Sequence, residues 1–335
     1  MTSTISTTDA TSPMLTNDSV SELEVRVSRR QRVAVGIDAF DLVSIDGTTL
    51  PARTAGAHID VHVPGGMIRQ YSLCNDPAEA DRYVIGVLDD PNSRGGSAAM
   101  HASVNEGQTL TISPPRNLFP LVDGVEHSLL LAGGVGVTPI LAMAHTLSAS
   151  AASFELHYST RSPEHTAFAE HLAGERFSGR VHHHHDSAGG VLPLPALLAD
   201  SSPGSHLYVC GPTGYMDWVL GTAREAGWPD ERLHFEFFSA STEVVDAGSF
   251  DVKIASTGAT IRVGSDQTVV AALAENGINI PISCEQGVCG TCITGVLDGL
   301  PDHQDLYLMP KERALNDRFL PCCSRSESGL LVLDL

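Results

Sequence analysis

Three domains of different class are expected in this 335-residue chain: an antiparallel β-barrel, an α/β domain on a parallel sheet, and a small C-terminal α+β domain. Three observations predict them. Apolar residues alternate with polar ones from Leu23 to about Leu121, short apolar strands alternate with helical patterns from Ser128 to Phe238, and a cysteine loop lies near the C-terminus. The expected boundaries are a disordered Ser/Thr-rich tail at 1–21, the barrel at 22–124, the α/β domain at 125–238, a polar linker at 239–249 and the last domain at 250–335. A chain of this length suits two or three ordinary domains, and 42% hydrophobic residues suffice to build their cores.

In the barrel, runs such as Leu23-x-Val25-x-Val27 and Ile59-x-Val61-x-Val63 are separated by turns at Asp46-Gly47 and Pro64-Gly65-Gly66. Period-two patterning with regular turns is the mark of antiparallel strands. Arg69-Gln70-Tyr71-Ser72 falls on one of them, so Arg69 and Tyr71 should share a face and Ser72 should point the other way. A cation, a ring and a hydroxyl offer a phosphate partner, a stacking plane and a hydrogen bond, which are the needs of a flavin. The same four residues also fit an ordinary surface strand. Arg94-Gly95-Gly96-Ser97 precedes a helix-like run, and amides at a helix start suit either an anion or a plain cap.

In the α/β domain, the apolar strand Ser128–Ala132 runs into Gly133-Gly134-Val135-Gly136-Val137-Thr138-Pro139 and then an apolar helix. Strand, glycine loop and helix is a dinucleotide-binding arrangement, although Pro139 occupies the third glycine position counted from Gly134. Helices are expected at Pro163–Glu175, Leu192–Leu198 and Tyr215–Ala226, and strands at Phe154–Thr160, Val181–His185, His206–Cys210 and Leu233–Phe238. Alternation of this kind implies a parallel sheet, which puts Cys210-Gly211-Pro212 at its carboxyl edge, where ligands bind. His182–His185 read as a polar strand, because four consecutive strand residues cannot all face one ion.

The cysteine loop is Cys284-Glu285-Gln286-Gly287-Val288-Cys289-Gly290-Thr291-Cys292, and Cys322 follows about thirty residues on. Its C-x4-C-x2-C spacing is that of a plant-type [2Fe–2S] ferredoxin. A structural zinc site more often uses compact paired units. Gly287 and Gly290 allow amide N–H groups to turn towards the sulfurs. Seven cysteines, mostly near the C-terminus, do not form a secreted disulfide framework. A net charge of −20 argues against nucleic acid or an anionic membrane as partner. The most apolar stretch, Leu129–Ala144, is too short and too broken to span a bilayer. A cytoplasmic protein is expected.

Taken in order, the RxYS, GGS, GGVGVTP, CGP and cysteine motifs resemble the phthalate dioxygenase reductase family, which includes vanillate O-demethylase reductases. The resemblance covers nearly everything after residue 20. It implies an FMN-binding barrel, an NADH-binding domain and a ferredoxin domain of β-grasp type. Arg69, Tyr71, Ser72, Gly95, Gly96 and Ser97 would hold FMN, and Thr138 would lie between FMN and nicotinamide. Gly134, Gly136, Cys210, Gly211 and Pro212 would line the NADH site, with Ser72 and Cys210 at the chemistry. Arg161 would stand near the adenosine ribose, where a guanidinium could accept the 2′-phosphate of NADPH; the family favours NADH. The metal ligands would be Cys284, Cys289, Cys292 and Cys322, with Cys323 a bystander.

The family's function would be to pass electrons from NADH through FMN and the cluster to a separate Rieske non-haem-iron oxygenase acting on an aromatic compound. A cytochrome P450 partner or a redox-sensing role without turnover are the competing readings. A monomer is expected. Eleven acids against six Lys and Arg from Gly248 onward predict a negative docking face, with Asp302 and Asp305 expected on it.

Overall fold

The computed structural model describes residues 22–91, 95–238 and 248–335. The expected tail, Arg94 and most of the expected linker lie outside the described residues.

The barrel comprises β1 (Leu23–Ala34), β2 (Ile37–Ser44), β3 (Ala57–Val63), β4 (Met67–Ser72), β5 (Tyr83–Leu88), the helix α1 (Gly96–Ser103), β6 (Thr109–Ile112) and β7 (Arg116–Asn117). The strand order is β4-β3-β6-β1-β2-β5, with β7 also on β3. A bridge between Leu73 and Ile85, and the Cys74 amide donating to the Val84 carbonyl (2.9 Å), join the two ends. Inward residues of alternate positions, among them Val25, Val27, Ile59, Val61 and Ile85, fill it. The Leu73–Ile85 contact at the end of β4 brings the strands round into a barrel.

The second sheet holds β8 (His127–Gly133), α2 (Val137–Ala149), β9 (Phe154–Thr160), α3 (Ala169–Leu172), β10 (Val181–His185), α4 (Leu194–Asp200), β11 (Ser205–Cys210), α5 (Thr213–Glu225) and β12 (Leu233–Glu236). All its pairings are parallel, in the order β10-β9-β8-β11-β12. Its central strands β8 and β11 are largely apolar and buried because helices cover both faces, α2 on one and α4 with α5 on the other, while the edge strand β10 carries the histidine run. The single helix expected at Pro163–Glu175 is instead two 3-10 turns flanking the four-residue α3. Gly174 and the left-handed Phe168 (φ 58°) interrupt the ladder there.

The last sheet is built from β13 (Phe250–Ile254), β14 (Thr260–Val263), α6 (Val269–Glu275), β15 (Thr294–Asp298), β16 (Pro301–Asp302), α7 (Pro310–Arg313), β17 (Arg318–Phe319), β18 (Arg325–Ser326) and β19 (Leu330–Leu333). The order β14-β13-β19-β15-β17 has one parallel pair, β13 with β19, and α6 packs on it. The Thr268 side chain caps α6 by accepting from the Ala271 amide (3.1 Å). Arg325 lies over the Phe250 ring and donates to the carbonyls of Gly248, Gly264 and Gln267, tying the chain ends of this domain together.

Candidate functional site

The cysteine loop sits against α6 and the 305–308 turn. Cys284, Cys289, Cys292 and Cys322 are all buried, and Cys284 is within hydrogen-bonding reach of both Cys289 and Cys322. The Gln286 amide donates to Cys284 Sγ (3.3 Å) and the Thr291 amide to Cys289 Sγ (3.5 Å). The residue before each of these amides is left-handed, Glu285 (φ 53°) before Gln286 and Gly290 (φ 70°) before Thr291, and Gly287 (φ 71°) adds a third positive φ to the loop. A side chain on Gly290 would run into the Tyr307 ring, and one on Gly287 into Cys323 and Asp305. The Cys289 thiol is raised by its contact with Cys284 and by burial. Crowded buried thiols give up their protons to positive charge, so the donor set fits an iron–sulfur cluster. Cys323 is half-buried, its Sγ against the Leu320 carbonyl (3.6 Å).

Asp305 is not on the surface, contrary to expectation. Its carboxylate is buried, accepts from the Leu308 amide (2.7 Å) and lies beside Arg313. The Leu306 amide meanwhile donates to the Gly287 carbonyl (2.9 Å). Asp305 therefore braces the cluster loop, and only Asp302 stays partly exposed.

In the barrel, Arg69 and Tyr71 share a face of β4 and Ser72 faces away. Arg69 lies over the start of α1, where a Cβ on Gly96 would meet its Nε at 2.6 Å. Gly95 takes a left-handed conformation (φ 91°) to open that helix, and the buried Ser97 hydroxyl has no partner among the described residues. A guanidinium, a helix N-terminus and an unsatisfied hydroxyl fit a flavin phosphate.

In the α/β domain, Gly133–Gly136 and Cys210-Gly211-Pro212 meet where the strand order reverses, between β8 and β11. A Cβ at Gly211 would lie 3.1 Å from Gly133 Cα, and one at Gly136 would strike the Cys210 carbonyl. These glycines are close approaches of backbone to backbone, and the crevice they leave fits a dinucleotide. Thr138 is buried against the barrel, 2.8 Å from where a Cβ on Gly86 of β5 would stand. Arg161 is exposed beyond the end of β9.

Two residues missed by sequence reasoning complete the site. Ser72 donates to Glu236 Oε2 (3.2 Å) at the end of β12, and Glu236 pairs in register with the buried Cys210. Burial pushes the Glu236 carboxyl up to about 7 despite the bond from Ser72, and pushes the Cys210 thiol well up. His58 Nδ1 lies 3.7 Å from Glu236 Oε1, and burial followed by the Arg116 charge lowers its pKa to about 4. An acid among the aromatic residues Phe235, Phe237 and Phe238 was the one available signal for Glu236.

The three domains converge along β3. Two residues beyond His58, Asp60 accepts from Arg116 (2.7 Å) and, through Oδ1, from Ser283 Oγ (2.8 Å). Ser283 directly precedes the first cysteine of the loop. A cleft of about 340 Å³ continues the junction between Leu118–Pro120, Phe235–Phe237 and Tyr307. One strand thus touches both the Ser72–Glu236 pair and the edge of the cluster loop.

A closed barrel, a dinucleotide crevice and a ferredoxin loop in contact define an electron-transfer oxidoreductase. Residues 252–327 match the 2Fe-2S iron-sulfur cluster binding domain, and 109–233 match the N-terminal domain of dimethylamine monooxygenase subunit DmmA-like proteins. The chain is 54% identical to a vanillate O-demethylase oxidoreductase of Pseudomonas sp., covering 93% of this chain and 100% of that one. It is 37% identical to a phthalate dioxygenase reductase of Burkholderia cepacia, covering 93% and 97%. A solved phthalate dioxygenase reductase, described as modular for electron transfer from pyridine nucleotides to [2Fe–2S], superposes with a TM-score of 0.75 at 36% identity over 94% of this chain and 98% of that one. The chain belongs to the phthalate dioxygenase reductase family, whose cofactors are FMN, NADH and a [2Fe–2S] cluster. No helix among the described residues is long and apolar enough to cross a membrane.

Proposed function

We propose that this chain oxidises NADH and delivers single electrons to a terminal Rieske non-haem-iron oxygenase that demethylates or hydroxylates an aromatic acid, as a monomeric cytoplasmic component. The observation that carries the reading is the continuity of β3, from the Ser72–Glu236 pair to Ser283 beside the cysteine loop. When bound, FMN supplies the conversion of a two-electron donor into single-electron steps that an iron–sulfur cluster accepts.

The chain's own residues take distinct roles in this reading. Arg69, Gly95, Gly96 and Ser97 bind the flavin phosphate, Tyr71 covers the flavin ring, and Ser72 hydrogen-bonds it. Gly134, Gly136, Gly211 and Pro212 hold the dinucleotide backbone, while Thr138 and Cys210 set the nicotinamide against the barrel. Glu236 stores a proton behind Ser72, since its carboxyl titrates near neutrality. Cys284, Cys289, Cys292 and Cys322 ligate the cluster.

The aromatic-acid substrate class rests on the 54% identity to the vanillate O-demethylase component. A second reading, delivery to a P450 haem, draws on one observation. The chain is 38% identical to part of an intact type IV self-sufficient cytochrome P450 monooxygenase, with a TM-score of 0.79, spanning 41% of that longer chain. Anaerobic addition of NADH to the purified protein should bleach both flavin and cluster absorbance. Subsequent addition of a purified vanillate-type Rieske oxygenase, or of a P450, should reoxidise the protein only with the matching acceptor. Absorbance unmoved by NADH would overturn the proposal.

A further inference from the structure

We propose that Glu155, His157 and His182 form a binding site for a divalent transition-metal ion, of which Zn²⁺ is the test case, on the edge of the nucleotide-domain sheet. The histidine run His182–His185 does divide between two faces, as strand geometry demands. His183 lies near the Tyr158 ring on one side, and His185 Nδ1 meets Thr160 Oγ1 at 3.0 Å on that same side. On the other side, the parallel register sets His182 opposite His157 of β9 and His184 opposite Ser159. Glu155, two residues before His157, shares this face. The neighbouring strand therefore supplies the ligands that the run by itself lacks.

One ligand atom from each of Glu155, His157 and His182 lies within 4.8 Å of the others. Tetrahedral bonds of about 2.0–2.2 Å place neighbouring donors roughly 3.3–3.6 Å apart. A change of rotamer at the exposed His182 closes the difference, while the buried His157 stays fixed. The His157 ring is stacked with His182 (4.8 Å, 19°) and with His184 (5.3 Å, 17°), so its plane is already set.

The two nitrogens of His157 face unlike partners. Nδ1 stands 3.0 Å from His184 Nε2, and Nε2 stands 3.4 Å from Glu155 Oε2. When Nδ1–H donates to His184, the Nε2 lone pair confronts a carboxylate, and a cation between them resolves the conflict. A metal-bound imidazole commonly donates its other N–H in this way. Two imidazole nitrogens and one carboxylate oxygen select zinc-like ions over Mg²⁺ or Ca²⁺, which prefer oxygen alone. The fourth position opens to solvent beside His182 and takes water.

Loading ties the edge strand β10 to β9. Glu155 lies five residues before the ligand edge at Thr160, roughly 16 Å along the strand. Electron flow from NADH is therefore unaffected by the ion, and the inference stands apart from the proposed function.

The test is a titration of the cluster-loaded holoenzyme with ZnCl₂ against a chromophoric zinc indicator, with zinc and iron counted by mass spectrometry. One zinc per chain with no loss of iron is expected. Glu155→Gln and His157→Gln should each weaken binding by roughly tenfold or more, and His183→Gln should change it less than about twofold. Zinc should raise the melting temperature of the wild type but not of Glu155→Gln, which keeps the buried His157 and so serves even if His157→Gln fails to fold. Binding weakened by His183→Gln as strongly as by His157→Gln while Glu155→Gln leaves it unchanged would mean a bare histidine tract and overturn the proposal. So would the absence of micromolar binding, or zinc uptake only at the cost of iron.

Discussion

The cluster loop and the flavin–nucleotide junction carry the same electrons but are built in opposite ways. Three of the four cysteines proposed as ligands lie within nine residues, and their geometry follows from three left-handed residues, Glu285, Gly287 and Gly290, and a few amide–sulfur bonds. The junction gathers Ser72, Cys210, Glu236 and His58 from four strands of two sheets. A local loop is damaged locally, whereas an assembled junction is damaged by anything that shifts one sheet against the other. Cys292→Ser should accordingly produce the largest and cleanest effect, lowering NADH-dependent cytochrome c reduction by roughly a hundredfold or more, since a removed ligand leaves the cluster unheld. NADH bleaching of the flavin should persist in stopped flow. Loss of both would give the loop a role in holding the other domains together and blur the contrast.

Gly136→Ala probes the assembled side. Gly136 has an ordinary helical φ, so its constraint is space: the new methyl would strike the Cys210 carbonyl. Overpacking of this kind costs about 1–3 kcal/mol, which here should appear as a rise in KM for NADH of roughly five- to a hundredfold. Cluster absorbance should be unchanged. An unaltered KM would mean that the crevice relaxes without moving the strands on either side.

The same contrast explains what was legible in the sequence. The cysteine spacing, the glycine loop after β8 and the RxYS strand are written in consecutive residues, so pattern and chemistry could be read together. The strand alternation gave the barrel and the parallel sheet for the same reason: each depends on local period. Glu236 was hidden because its partner Ser72 is 164 residues away. The acid becomes unusual only after β12 docks against the barrel. Asp305 was placed on the surface because an acid in a charged segment is usually solvated. Its burial follows from the amides of the 306–308 turn and from Arg313, which no periodicity announces. The broken helix at 163–175 likewise reflects Gly174 and a left-handed Phe168 overriding an acceptable helical pattern.

Glu236→Gln sharpens the comparison through pH. The folded carboxyl is raised to about 7 by burial, against about 4.5 when unfolded, so the folded chain binds the additional proton between those values. Its contribution to stability is fully present below about pH 4.5 and is lost as pH rises through 7. The glutamine variant should lack that loss, gaining about 2–3 kcal/mol relative to wild type near pH 8 in urea melts. The rate of flavin reduction by NADH should lose its inflection near pH 7 at the same time. No such change is expected in cluster spectra, because Glu236 is bonded to Ser72 and paired in register with Cys210, away from the cysteine loop. A wild-type rate that is flat between pH 6 and 8 would remove Glu236 from the proton path.

Ser283→Ala tests the one place where the two constructions meet. Its hydroxyl donates to the buried Asp60, whose other oxygen is held by Arg116, so the deletion leaves Asp60 Oδ1 short of a partner at a cost of about 1–3 kcal/mol. Neither NADH binding nor the cysteines are touched directly. Bleaching of the flavin should therefore proceed at the wild-type rate, while cytochrome c reduction falls by only roughly two- to fivefold as the loop loses its anchor on β3. Asp60→Asn with Ser283 intact keeps one oxygen as an acceptor for that hydroxyl and should retain most of the wild-type rate. If the serine deletion slowed flavin bleaching as well, β3 would be coupling the two regions rigidly, and the separation between a local loop and an assembled junction would no longer hold at their boundary.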